Sequence, residues 1–171
     1  THPHPQHDAL PISKKNHILN SSYGAIESEL KRNGVSEPTI QDISKAVIAI
    51  RLSKLPDPKE LGNSGSFFKN PVVSKSEFDI FSKTHPEAPF YKVSEDFYKI
   101  PAGWLIEQCG YKGKRFGEAG VHKNQALVLV NYGSATGKEI LDLAYRIIAD
   151  VKNKFAIEIS PEVNIIGREI G

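Results

Sequence analysis

The sequence predicts an α+β fold, and three observations carry that prediction. Helical and strand patterns alternate irregularly along the chain, the arrangement of an α+β protein. Two S/T-x-x-E boxes, Ser74 with Glu77 and Thr136 with Glu139, each open a run whose apolar residues recur at helical spacing. A short run rich in valine and leucine, residues 126–131, has the character of a buried strand.

Taken in order, residues 22–33 read as a short helix. Ile26 and Leu30 stand at i, i+4 and Gly34 marks the stop. Residues 39–53 read as a stronger one, with Thr39 as cap, Asp42 at the third position, and Ile40, Ile43, Val47 and Ile50 on one broad face. Pro56 and Pro58 forbid helix, which places a domain junction at 55–58. A glycine-rich loop over 62–70 follows, then a short strand near 71–73. The Ser74 box opens a helix with Phe78 and Phe81 inward, ended by Pro86 and Pro89. Pro101 and Gly110 bracket a helix over 102–109. The Thr136 box launches the best helix, to about 154, with Ile140, Leu143, Ala144, Ile147, Ile148 and Val151 as its stripe. Residues 155–159 and 163–166 read as strands around a turn at Ser160 and Pro161. No internal repeat is present.

The 171 residues suffice for one good core, or for one domain plus part of another. The apolar fraction of 39% and charged fraction of 25% are those of an ordinary globular protein. A net charge of +2 and a pI of about 8.5 are too mild to argue for nucleic acid. The basic run Lys112-Gly-Lys-Arg115 lacks interleaved aromatics and reads as a solvated turn. No apolar run approaches a membrane span. The single cysteine, Cys109, excludes an internal disulfide framework, suits a reducing compartment, and reads as a small buried hydrophobe. The chain starts at Thr1 and has no methionine, so its N-terminus is expected to be processed or missing; no signal-peptide pattern opens it. His2, His4 and His7 could share an ion, but no fixed scaffold surrounds them, so no metal site is expected. Residues 1–13 are expected to be a non-native or disordered tail.

The most informative stretch is Gly62-Asn-Ser-Gly-Ser66-Phe-Phe-Lys-Asn-Pro71. Two glycines flank a polar pair; a hydroxyl, a cation and an amide follow at once. Composition alone makes this a loop beside a ligand. Four further segments accompany it: Arg51-Leu-Ser-Lys-Leu-Pro-Asp-Pro58, Pro101-Ala-Gly-Trp-Leu-Ile-Glu-Gln108, Gly120-Val-His-Lys-Asn-Gln-Ala-Leu-Val-Leu-Val-Asn131, and Ser160-Pro-Glu-Val163. In this order and spacing they resemble the UDP-N-acetylenolpyruvoylglucosamine reductases, flavoenzymes of bacterial peptidoglycan synthesis. The resemblance runs from about residue 14 to 171 and covers the C-terminal half of that family.

The resemblance implies that residues 14–55 end a flavin-binding domain, 56–156 form a substrate-binding domain, and 157–171 return to pack on the flavin region. It implies reduction of the enolpyruvyl double bond of a UDP-sugar in the cytoplasm, with FAD reduced by NADPH. The flavin then gives its hydride to the terminal vinyl carbon, and the carbon next to the carboxylate must be protonated. Ser66 matches the family's proton donor and Glu162 its second catalytic group. Lys54, Asn70, Tyr91, Lys99 and Gln125 match substrate contacts: lysines for diphosphate or carboxylate, a tyrosine for the nucleotide, amides for phosphate or sugar.

From the residues alone the readings are blander: a loop serine bonding its own backbone, a surface glutamate, snorkelling lysines, a half-buried tyrosine and solvated amides. His122 and Trp104 read as structural. The family also uses an arginine, in one subgroup a tyrosine, and glycine-rich flavin-binding segments, none of which this sequence contains. The fragment is therefore expected to bind FAD weakly or not at all by itself. Two alternatives stay open: a non-catalytic UDP-sugar-binding module, and an α+β fragment without activity.

Overall fold

The computed structural model describes residues 24–167. The chain forms two compact units that divide between Ile50 and Arg51. In the first, α1 (Gly24–Arg32) carries Glu27 in its opening turn and Lys31 and Arg32 in its last, matching the helix dipole at both ends. It closes where the Val35 N–H donates to the Leu30 carbonyl at 3.0 Å, with Leu30 buried. Positions 22 and 23 of the expected helix lie outside the described residues, as does the proposed tail.

Helix α2 (Ile40–Lys54) runs across the division. The Asp42 N–H donates to Thr39 Oγ1 at 3.3 Å and the Thr39 N–H returns a bond to Asp42 Oδ2 at 3.0 Å. These bonds from Thr39 hold the Asp42 carboxyl below its ordinary pKa. The expected apolar stripe is not buried. Ala46 alone is fully covered, while Ile40, Ile48 and Leu52 are half exposed or more. Apolar side chains occupy more than one side of this helix, so no single face can take them all.

The second unit continues with β1 (Gly62–Ser66), β2 (Val72–Ser74), α3 (Lys75–Thr84), β3 (Tyr91–Lys92), β4 (Phe97–Lys99), α4 (Ala102–Gln108), β5 (Arg115–Phe116), β6 (Ala119–Val121), β7 (Val128–Asn131) and α5 (Gly137–Phe155). Every strand pairing is antiparallel. One sheet has the order β1-β7-β6-β5, the other β2-β4-β3. This is an α+β fold.

Both sequence-predicted capping boxes form. Ser74 Oγ accepts from the Glu77 N–H and Thr136 Oγ1 from the Glu139 N–H, with each glutamate bonding back. Helix α5 lays Leu143, Ala144, Ile147, Val151 and Phe155 into the core, beside Leu105 and Ile106 of α4 and Val121 and Leu129 of the larger sheet. Phe78 and Phe81 of α3 point inward as expected, and Phe78 stacks on Tyr98 of β4 with ring centroids 4.2 Å apart.

Several local expectations change. The first half of the glycine-rich loop is strand β1, because β7 supplies its hydrogen-bonding partner. Gly65, at φ +75°, makes a bulge between Asn63 and Ser66 that only glycine adopts without strain. The strand expected over 155–159 does not form. Helix α5 continues through Phe155 and stops at Ala156, whose left-handed φ of 56° turns the chain. The chain then runs extended, with Ile157 and Ile159 buried and Glu158 exposed. Burial thus alternates as in a strand, but the bridge formed among the described residues is Phe68 with Pro161, beyond this stretch, and Ile157 to Ile159 gain no ladder of their own. Residues 163–166 form no strand either.

Candidate functional site

Ser66 ends β1, opposite Val128 of β7, with its side chain exposed. Among the described residues its hydroxyl has no hydrogen-bond partner. The next residues leave the strand and make a second pairing. The Phe67 N–H donates to the Leu127 carbonyl at 2.7 Å, the Glu162 N–H donates to the Phe67 carbonyl at 2.8 Å, and the Lys69 N–H donates to the Ser160 carbonyl at 2.9 Å. Phe67, Phe68 and Ile159 are buried beneath this junction. The main chain therefore fixes Glu162 opposite Phe67, one residue from Ser66, although sequence separates them widely. Glu162, like Ser66, is exposed. A hollow of about 520 Å³ adjoins this edge, lined by Ser64, Phe67, Ile140, Leu141, Val163 and Ile165 among others.

A second hollow, of about 310 Å³, gathers Asn70, Tyr91 and Gln125 with Trp104, Glu107 and Lys112. Asn70 Oδ1 accepts from the Ala102 N–H at 2.9 Å and so caps α4, whose preceding residue, Pro101, has no side-chain bond to offer. Gln125 Oε1 accepts from the Leu127 N–H at 3.3 Å. In both amides the fold takes the oxygen and leaves the NH2 group as the donor. Tyr91 is exposed and pairs directly with Lys99 across β3 and β4, so the two side chains share one face of the small sheet. Lys99 does not line the hollow. Lys54, exposed at the end of α2, stands outside it as well.

Lys112 was read from sequence as part of a solvated turn, and the structure puts it in this wall. The usable signal was its place between Gly110 and Gly113, which makes a tight turn directly after α4. Trp104 has two roles: it lines the hollow and meets Phe81, His85 and Phe155 at ring distances of 5.8 to 6.1 Å. His122 is buried, with no partner for Nδ1 among the described residues; burial, aided by Lys123, lowers its pKa. Burial raises the Cys109 thiol pKa, the environment of an unreactive cysteine. Among the described residues no cluster of His, Cys, Asp and Glu could hold a metal, and no helix is long and apolar enough to cross a membrane. His2, His4 and His7 lie outside the described residues.

These features define an α+β domain with one polar edge held by the main chain and one amide-lined pocket beside it. Residues 57–166 match the family model for the UDP-N-acetylenolpyruvoylglucosamine reductase C-terminal domain, and the chain belongs to that family. It is similar to UDP-N-acetylenolpyruvoylglucosamine reductases of Flavobacterium johnsoniae, at 63% identity over 91% of this chain and 46% of that protein, and of Chromobacterium violaceum, at 51% over 86% and 43%. The reductase of Bacteroides fragilis is 47% identical over 91% and 46%. The chain spans about half the length of the curated relatives it matches. A crystal structure of the enzyme of that name from Thermus caldophilus aligns with 72% of this chain and 34% of its own, at 26% identity and a TM-score of 0.42.

Proposed function

We propose that this chain is the substrate-holding and proton-donating part of an FAD-dependent, NADPH-oxidising reductase. The enzyme would convert UDP-N-acetylglucosamine enolpyruvate to UDP-N-acetylmuramate for peptidoglycan synthesis in the cytoplasm. In this reading residues 56–156 are the substrate domain, and 14–55 and 157–171 belong with a flavin-binding half that the chain lacks. One observation carries it: the Glu162 N–H bond to the Phe67 carbonyl sets Glu162 beside Ser66 at an exposed edge. The reading takes this serine and glutamate, distant in sequence, to serve one reacting centre.

Bound FAD would supply the hydride, and Ser64, Phe67 and Val163 would line the side of this domain turned toward it. The chain's own residues do the rest. The Ser66 hydroxyl gives its proton to the carbon next to the carboxylate as negative charge develops there. A lone serine is a weak acid, so position matters more than acidity; Phe67 and Phe68, locked in the core, supply that position. Glu162, when protonated, bonds the substrate carboxylate or orients the donor. Lys112 and Lys99 neutralise diphosphate charge, Lys54 adds a cation from α2, Tyr91 meets the nucleotide, and the NH2 groups of Asn70 and Gln125 donate to phosphate or sugar.

The test uses the full-length gene product. Ser66→Ala is expected to lower reduction of the enolpyruvyl substrate by about 10²- to 10⁴-fold while flavin reduction by NADPH continues. Unchanged substrate turnover would remove Ser66 from the mechanism. Since all lining residues of the amide pocket lie in the second unit, a UDP-sugar-binding module without chemistry is the competing reading. Saturable UDP-sugar binding with no turnover in the full-length product would favour it.

A further inference from the structure

The wall of the amide pocket holds two charged side chains among the described residues, Glu107 and Lys112, and they are joined. Lys112 Nζ donates to Glu107 Oε1 at 3.0 Å and to Oε2 at 2.9 Å. Both ends are firmly mounted. Glu107 stands in the last turn of α4, whose Ala102, Leu105 and Ile106 are buried. Lys112 stands between Gly110 and Gly113, at φ +77° and +75°, in a turn that glycine adopts freely. Tyr111 anchors that turn. It is buried, its N–H donates to the Ile106 carbonyl at 3.3 Å, and its hydroxyl donates to Asp150 Oδ2 at 2.5 Å.

A lysine has several rotatable bonds and normally wanders over a wide arc. Here a carboxylate gripped through both oxygens holds it at the pocket wall. The same carboxylate leaves the empty pocket with no net charge from its lining, so charge alone does not draw anions in.

We infer that Glu107 is a positioning and selectivity residue. It presents the Lys112 ammonium where the nucleoside contacts require the diphosphate to lie, and it withholds that ammonium from small anions that lack a nucleoside. The inference rests on the proposal that this pocket takes a UDP-sugar. A nucleotide docks through Tyr91, Asn70 and Gln125 and gains from a lysine that already stands in register. A bare pyrophosphate has only the Lys112 ammonium to hold it, and the Glu107 carboxylate that grips this ammonium weakens its pull.

The experiment is a calorimetric titration of the full-length gene product with UDP and with inorganic pyrophosphate at one ionic strength. Glu107→Gln keeps the side-chain length, removes the charge and sits at a half-exposed position. It should tighten pyrophosphate binding by about threefold, the scale of one exposed ion pair, without a matching gain for UDP. The preference for UDP over pyrophosphate therefore falls. In a Lys112→Gln background the same substitution should leave that preference unmoved. A preference unchanged by Glu107→Gln, or lowered equally in both backgrounds, overturns the role of Glu107 while the nucleotide reading stands. An unmodified protein that binds neither ligand overturns both.

Discussion

The Ser66–Glu162 edge and the Asn70–Gln125 pocket hold polar side chains in place by opposite means. At the edge the main chain does the holding. Glu162 is fixed by its own N–H on the Phe67 carbonyl, and the Ser66 and Glu162 side chains carry none of the fold's weight. In the pocket the side chains themselves are used: Asn70 caps α4 and Gln125 bonds the Leu127 N–H. Substitution at the edge should therefore damage chemistry alone, whereas substitution in the pocket should damage binding and stability together.

The sharpest break between the two would come from Glu162. Glu162→Gln in the full-length gene product is expected to lower substrate reduction by about 10²-fold with no change in melting temperature, because the N–H that holds the residue remains. Stopped-flow absorbance of the flavin and a thermal melt would measure both. A melting temperature lowered by several degrees would mean that the carboxylate supports the fold and that edge and pocket are held by the same means.

Asn70 sharpens the other side. Asn70→Ala removes the cap of α4 and should cost about 1 kcal/mol of stability, roughly a 4 °C drop in melting temperature, and should also weaken UDP binding. Asn70→Asp keeps the accepting oxygen. It should regain the stability, but it brings a negative charge toward an anionic ligand and should bind UDP no better than alanine does. If aspartate restores both properties, Asn70 acts through the helix only.

What the sequence made legible follows the same divide between local and distant causes. The boxes at Ser74 and Thr136 were readable because the partner stands three residues away. The α5 stripe was readable because its five buried positions lie on one face. β1 was not, since Gly62-Asn-Ser-Gly-Ser66 has no strand character and becomes a strand only through β7, some sixty residues on. Strands β3 to β6 have two or three residues each, too few for a period to show. The burial alternation of Ile157 and Ile159 was real, but no neighbouring strand pairs with that stretch, and alternation alone does not reveal whether a partner is there. For the candidate site, no spacing rule connects Ser66 to Glu162. Their pairing entered through the family resemblance; the structure shows the Glu162 N–H on the Phe67 carbonyl, a contact between distant segments that no local pattern announces. Lys112 was passed over because its glycine-flanked turn looked the same as any exposed turn until Tyr111 and Glu107 were seen to hold it.

The smallest expected effect concerns pH and the root of the pocket loop. His122 opens the turn that carries Gln125, with its N–H on the Val128 carbonyl at 2.9 Å. Its imidazole is buried, Nδ1 has no partner among the described residues, and Lys123 is the charge that acts on it. Burial first, then Lys123, holds its pKa below the ordinary 6.5. The folded protein thus keeps a neutral ring where the unfolded chain takes up a proton. Below about pH 6.5 the unfolded state binds more protons at this site, so the stability contributed by neutral His122 is complete above that pH and declines as pH falls toward the lowered folded value. Denaturant midpoints measured from about pH 7.5 down to about pH 5.5 should fall more steeply for the native sequence than for His122→Gln. Hydrogen exchange should show acid loosening the amides of 122–128 ahead of the Glu162 amide at the edge. Parallel pH curves for the two proteins would mean that His122 titrates freely, and that acid does not single out the pocket side of the site.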